Sequence, residues 1–356
     1  MAQPDSSPEP DCSPVTGVHR RQSAVIAGCA GTILTADELS LFREHRPAGL
    51  ILFARNCETP DQVRRLTDAF RQAIGLEDTL VLIDQEGGRV QRLRPPHWRA
   101  LPPARAFGNL FAKDRQKGLD AARLAARLTA HDLVQTGISM NCVPVLDVPT
   151  DGSHDVIGNR AYGTTVAVVV ALARAVAEGL LAGGVLPVVK HVPGHGRATV
   201  DSHHELPIVT ASLAELRATD FVPFRELSDL PAAMTAHVVY TAFDATEPAT
   251  TSLIVVQDVI RGEIGFNGLL MSDDLGMKAL AGTMRERTQR ALFAGCDVVL
   301  HCSGDFAEMG DVAAAAGALE PAASLRLAGC LALLGADQPC DLAEADAHLS
   351  EAFALA

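Results

Sequence analysis

V-L-P-V-V-K-H-V-P-G-H-G-R-A-T-V-D-S-H-H-E-L-P, residues 185–207, sets a short apolar run, Val185 to Val189, against a stretch with a lysine, four histidines and an aspartate. The apolar run predicts a buried strand. The polar stretch that follows is too long and too polar for a simple connection from strand to helix. α/β barrels keep their active sites just past the C-terminal ends of their strands. A loop this rich in proton-transfer groups reads as chemical rather than structural.

Working outward, apolar runs of the same kind recur along the chain. With Val185–Val189 they predict eight strands: Ala24–Ala27, Gly49–Phe53, Leu80–Ile83, Ser139–Val143, Val185–Val189, Ala232–Ala236, Gly268–Met271 and Val298–His301. Helix signals lie between them. Thr35 with Glu38 and Ser212 with Glu215 have capping-box spacing. Thr59 is an N-cap with Pro60 at the first helical position. Leu124 and Leu128 repeat at helical spacing, and Gly137, Gly183 and Gly184 stand where helices should stop. Eight strands alternating with helices over about 280 residues fit an α/β fold of the (β/α)8 TIM-barrel type, whose usual size is ~250 residues. A doubly wound sheet is the alternative, but no G-x-G-x-x-G follows the first strand. Residues 304–356, rich in Ala and Leu, predict extra closing helices. No internal repeat or long linker marks a second domain, so residues 23–356 are expected to form one domain behind a flexible tail, residues 1–22.

Composition excludes several classes of function. The 356 residues carry a net charge of −13 with no basic run, which argues against nucleic acid and anionic membranes as partners. No apolar stretch is long enough to span a bilayer. The tail has no apolar core of a signal peptide, so a cytoplasmic protein is expected. The eight cysteines are scattered without a C-x-x-C pair, as expected of reduced, buried thiols.

Polar clusters follow several predicted strands. After the third come Asp84-Gln85-Glu86-Gly87-Gly88-Arg89 and Arg92; a turn with a structural salt bridge is the plainer reading, ligand contact the sharper one. After the fourth come Asn141, Asp147 and Ile157-Gly158-Asn159-Arg160. Arg160 could clamp a polar ligand through its planar fork, or lie on the surface. Lys190 and His191 are placed at the end of the fifth strand. Asp201 and His203 are two apart, so both can face one side of an extended loop. An aspartate beside a histidine can hold the imidazole's tautomer and raise its basicity, which suits acid/base work. His191, His195, His203 and His204 could be metal ligands, but there is no H-E-x-x-H and a lysine adjoins the first; no metal and no cofactor is expected. After the seventh strand come Ser272-Asp273-Asp274. Asp273 is the candidate mouth-facing carboxylate, and Asp274 suits a helix N-cap better.

Four segments, I-D-Q-E-G-G-R-V-Q-R (83–92), I-G-N-R (157–160), K-H-V-P-G-H-G…D-S-H (190–203) and S-D-D-L-G-M (272–277), together resemble family 3 glycoside hydrolases. They are most similar to that family's single-domain β-N-acetylhexosaminidases of bacterial cell-wall recycling. The resemblance covers roughly residues 23–305. It implies a retaining exo-β-N-acetylglucosaminidase with Asp273 as nucleophile and His203 as acid/base, assisted by Asp201. Asp84, Arg92, Arg160, Lys190 and His191 would hold the terminal sugar. The implied partner is a small carbohydrate, a muropeptide, acted on by a monomer. Val192, Leu93 and Asn159 depart from the family pattern beside these residues. A β-glucosidase-like enzyme or a phosphorylase on the same nucleophile is the alternative within the family; a sugar-binding sensor on an inactive barrel is the one outside it. The hinged loop from Lys190 to Pro207 is expected to close over substrate, leaving His203 far from Asp273 when no ligand is bound.

Overall fold

A computed structural model of the chain describes residues 22–335 and 338–354. The expected tail, residues 1–22, lies outside the described residues except for Gln22. Eight parallel strands close into a barrel: β1 (Ser23–Ala27), β2 (Pro47–Leu52), β3 (Leu80–Ile83), β4 (Met140–Asn141), β5 (Leu186–Val192), β6 (Ala232–Thr235), β7 (Leu269–Asp274) and β8 (Val298–His301). Each pairs with its neighbours in sequence, and β1 pairs with β8 to complete the ring.

The strands alternate between two cores, because successive side chains point to opposite faces. Leu80 and Leu82 of β3, Leu186 and Val188 of β5, Ala232 and Met234 of β6, and Leu269 and Met271 of β7 share one buried cluster. Val81, Ile83, Val189, Ala233 and Leu270, their alternates, belong to the other, with the surrounding helices. The alternation carries forward: Asp84, Lys190 and Asp273 continue the first series and are thereby directed into the barrel mouth.

Helices follow the strands as expected of a (β/α)8 fold. α1 (Ala36–His45) begins at the Thr35–Glu38 capping box, and α2 (Pro60–Ile74) at the Thr59 cap. α3 (Ala104–Lys113) and α4 (Arg115–Gln135) precede β4, and α5 (Val166–Ala182) precedes β5. α6 (Leu213–Ala218) starts at the Ser212–Glu215 box, followed by α7 (Phe221–Glu226). Residues Val255–Glu263 form a π-helix between β6 and β7. α8 (Met284–Ala294) and α9 (Phe306–Ala316) flank β8, and α10 (Pro321–Leu331) and α11 (Leu342–Ala354) are the extra C-terminal helices. Phe353 of α11 stacks edge-on against Phe107 of α3 at 5.1 Å. α10 packs against the other end of the barrel, where Arg326 and Arg261 both grip Asp297 at 2.6 and 2.8 Å.

Strand limits depart from the sequence reading where the chemistry begins. β5 runs on to Val192 and β7 to Asp274, so Lys190, His191 and Asp273 are strand residues rather than loop residues. β4 is only two residues long, against five expected. No helix starts after Asp274; the next one is capped by Thr283. Asp274 instead accepts from the Gly276 and Cys302 amides at 3.0 Å each, bracing the ends of β7 and β8.

Candidate active site

All eight strands run the same way, so their C-terminal ends share one face. A cavity of about 430 Å³ opens there, within the usual ~300–1,000 Å³ range of small-molecule sites. Asp84, Arg92, Arg160, Lys190, His191, His203 and Asp273 all line it. Asp201 does not; it borders an adjoining hollow of about 300 Å³ that shares Val90, Val156, Arg160 and His203 with the main cavity. His203 and Asp273 both line the main cavity.

One wall is an ionic network. Lys190, only 2% exposed, meets Asp84 Oδ1 at 2.8 Å and Glu86 Oε1 at 2.7 Å. Arg92 donates to Asp84 Oδ2 at 3.0 Å. Arg160 is no surface residue: its guanidinium takes both oxygens of Glu86 at 2.8 Å each. Burial alone would raise both acids, but the cations around them prevail. Asp84 is held far below the usual carboxylate range, chiefly against Lys190 and Arg92. Glu86 is held at about 2, chiefly by Arg160 and then Lys190. Three cations on two carboxylates leave a net positive, hydrogen-bond-rich wall suited to hydroxyl and carbonyl oxygens.

The hairpin after β3 positions this wall. Residues Gln85–Gly87 pair antiparallel with Val90–Gln91. The Gln85 side chain accepts from the Arg92 and Leu93 amides at 2.9 and 3.0 Å. Asn141 on β4 clasps the Gln85 amide and carbonyl at 3.0 and 3.1 Å.

Opposite, Asp273 ends the inward series of β7. Burial opposes its charge, yet His237, His191 and the Asp274 amide, which donates at 2.8 Å, hold its pKa below the ordinary aspartate value. It is a half-buried, ionised carboxylate facing the cleft. His237 is fully buried, between Thr250 Oγ1 at 2.7 Å and the Asp274 carbonyl at 3.0 Å. His191 is oriented by Asp147, whose Oδ2 lies 2.7 Å from its Nδ1.

Asp201 and His203 meet, though not on an extended loop. Asp201 Oδ1 accepts from the His203 amide at 2.9 Å and sits 2.8 Å from its Nδ1, in a tight turn. A carboxylate on Nδ1 makes that nitrogen the protonated one and leaves Nε2 as the basic one. Nε2 has no hydrogen bond among the described residues. His203 is more than half exposed (60%), so solvent and ligand both reach it.

Glu86 and His237 belong to this site but were given no role from the sequence; Asp147 was noted only among the polar residues after the fourth strand, and His195 only as a possible metal ligand. Glu86 had a signal, lying two residues after Asp84. His237 had none, as a lone histidine after an apolar run. Among the described residues no cluster of ligands fit for a metal ion is found.

Comparison with known proteins identifies the family. The glycosyl hydrolase family 3 N-terminal domain matches residues 31–326. A β-hexosaminidase of Bordetella avium (strain 197N) is 41% identical over 283 residues, covering 78% of this chain and 80% of that protein. One from Bordetella pertussis (strain Tohama I) is also 41% identical, covering 80% and 81%. The crystal structure of NagZ from Neisseria gonorrhoeae in complex with N-trifluoroacetyl-D-glucosamine superposes with a TM-score of 0.81 at 33% identity. It covers 94% of this chain and 97% of that one. The chain belongs to glycosyl hydrolase family 3. Within the family it is a glycoside hydrolase of the β-N-acetylhexosaminidase kind.

Proposed function

We propose that this chain is a retaining exo-β-N-acetylglucosaminidase that removes terminal β-linked N-acetylglucosamine, with anhydromuramoyl peptides of recycled peptidoglycan as substrate. Asp273 attacks the anomeric carbon and the glycosidic bond breaks, forming a glycosyl ester on its carboxylate. His203 gives its Nε2 proton to the leaving oxygen, then takes a proton from the water that cleaves the ester. Asp201 holds the imidazole on Nδ1 throughout. Asp84, Arg92, Arg160, Lys190 and His191 hold the sugar's hydroxyl and acetamido oxygens. A monomer in the cytoplasm, with residues 23–356 as one hydrolase domain, is the form in which we place this activity. No described helix is long and apolar enough to cross a membrane.

The observation that carries the reading is one cavity walled by a half-buried, ionised Asp273 on one strand end and an Asp201-oriented imidazole on a loop. Retaining glycosidases need such a nucleophile and acid/base pair flanking the scissile bond.

The test is 4-nitrophenol release from the N-acetyl-β-glucosaminide and the β-glucoside, with and without phosphate. The expected result is turnover of the N-acetyl substrate, indifferent to phosphate and lowered at least about 10³-fold in Asp273→Ala. Preference for the plain glucoside, or a requirement for phosphate, would replace this reading with a β-glucosidase or a phosphorylase.

A further inference from the structure

The loop that bears the Asp201–His203 pair has two unlike parts. Its base, residues 194–198, is tied down at every step. The Tyr240 hydroxyl donates to the Gly194 carbonyl. The His195 amide donates to Asp147 Oδ1 at 2.6 Å, and Arg197 grips Asp220 at 2.7 Å. The Thr150 and His154 amides donate to the Gly196 and Ala198 carbonyls at 3.3 and 2.8 Å.

The outer part, residues 199–206, is bonded mainly to itself. Asp201 takes the amides of His203, His204 and Glu205. Among the described residues one hydrogen bond joins this segment to the rest of the chain: His195 Nε2 to Ser202 Oγ, at 3.2 Å. Both groups are buried, His195 3% and Ser202 4% exposed, and both line the cleft. The same Asp147 that orients His191 on β5 holds the His195 backbone. A continuous path of contacts therefore runs from β5 through Asp147 and His195 to Ser202, and from there to its neighbours Asp201 and His203.

We infer that His195 and Ser202 are a positioning pair, whose hydrogen bond sets the Asp201–His203 turn over the cleft so that the imidazole can protonate the leaving group. The inference rests on the proposed acid/base role of His203. A side chain displaced by 1 Å forfeits much of the benefit of preorganisation, and one buried tether is what opposes that displacement here. Burial, with His191 next to it, pushes the His195 imidazole down to about 4. The bond therefore keeps one protonation state across the pH range in which imidazoles ordinarily exchange protons.

Leaving-group dependence separates positioning from mere structural support. Nitrophenolate departs with little protonation; phenolate needs the acid. The experiment measures kcat/KM for 4-nitrophenyl and phenyl N-acetyl-β-glucosaminides in wild type, Ser202→Ala, His195→Leu and His203→Ala, with melting curves as a check of folding. His203→Ala should lose about 10²-fold or more on the phenyl substrate and clearly less on the nitrophenyl one. Ser202→Ala should lose about tenfold on the phenyl substrate, again with a smaller loss on the nitrophenyl one, and His195→Leu should follow it. If His203→Ala discriminates while Ser202→Ala is equal on both substrates or matches wild type, the pair has no positioning role and the acid/base reading stands. If His203→Ala itself does not discriminate, or the wild type turns over neither substrate, the acid/base reading falls and the pair with it.

Discussion

Lys190 is a lysine without water, lying between two carboxylates. A lone ammonium at 2% exposure would lose its proton; Asp84 and Glu86 instead push its pKa well above the ordinary lysine value against the opposing effect of burial. Such networks add little net stability over a packed apolar core, but are strongly destabilised when one member is removed. Lys190→Met should cost about 3–5 kcal/mol in urea unfolding, because two carboxylates then share a buried site. Retention of wild-type stability would mean that Arg92 and Arg160 alone neutralise the pair. Asp273 differs in kind: no cation forms an ion pair with it among the described residues. Its charge is favoured by His237, His191, the Asp274 amide and, least of these, Lys190, and it lines the cleft.

At the scale of elements, strands aim the site and turns complete it. β3, β5 and β7 each carry an inward residue of the site at or just past their C-terminal ends, Asp84, Lys190 and Asp273, while Arg92 depends on the hairpin after β3. That hairpin turns at Gly87, whose φ of +94° is a left-handed conformation that side chains disfavour. A Cβ there would lie 2.4 Å from the Pro102 carbonyl oxygen. Gly87→Ala should therefore cost about 1–3 kcal/mol of stability. It should also raise KM more than it lowers kcat, since Arg92 is proposed to bind the sugar rather than to react. Steady-state kinetics beside urea melts would check both, and unchanged KM would separate the hairpin from substrate binding. The helix starts, by contrast, rest on local chemistry: the boxes at Thr35 and Ser212 form as their spacing predicts.

Across the whole molecule, the buried titratable groups give stability a definite pH dependence. His195 is lowered from 6.5 to about 4, and His237 is lowered too, both chiefly by burial. Below pH 6.5 the unfolded imidazoles take up protons that the folded ones refuse, so stability falls as the pH falls. The slope approaches about 1.4 kcal/mol per pH unit for each such group. Asp147 and Glu86, held near 2, add a second loss as the pH drops from the ordinary carboxylate values toward 2. The urea midpoint should therefore be lower at pH 5 than at pH 7.5, with a shallower dependence in His195→Leu. A flat profile between these values would show that the buried histidines take up protons in place.

The number and order of strands, the helix starts at Thr35, Thr59 and Ser212 and the polar segments around the mouth were legible in the sequence, whereas the cap expected at Asp274 does not form. These depend on local periodicity, and apolar runs and capping pairs report their own secondary structure. Asp201 beside His203 was legible for the same reason, as neighbours two residues apart. Only the tertiary structure decided which acid meets which cation. Arg160 meets Glu86 across 74 positions, Lys190 meets Asp84 across 106, and Asp147 orients His191 across 44. Closing the barrel brings these residues together, and strand alternation decides which of them face inward. Alternation is a period of two that the sequence carries, but barrel closure leaves no mark on a one-dimensional pattern, because the distance between two strand ends depends on every strand paired between them.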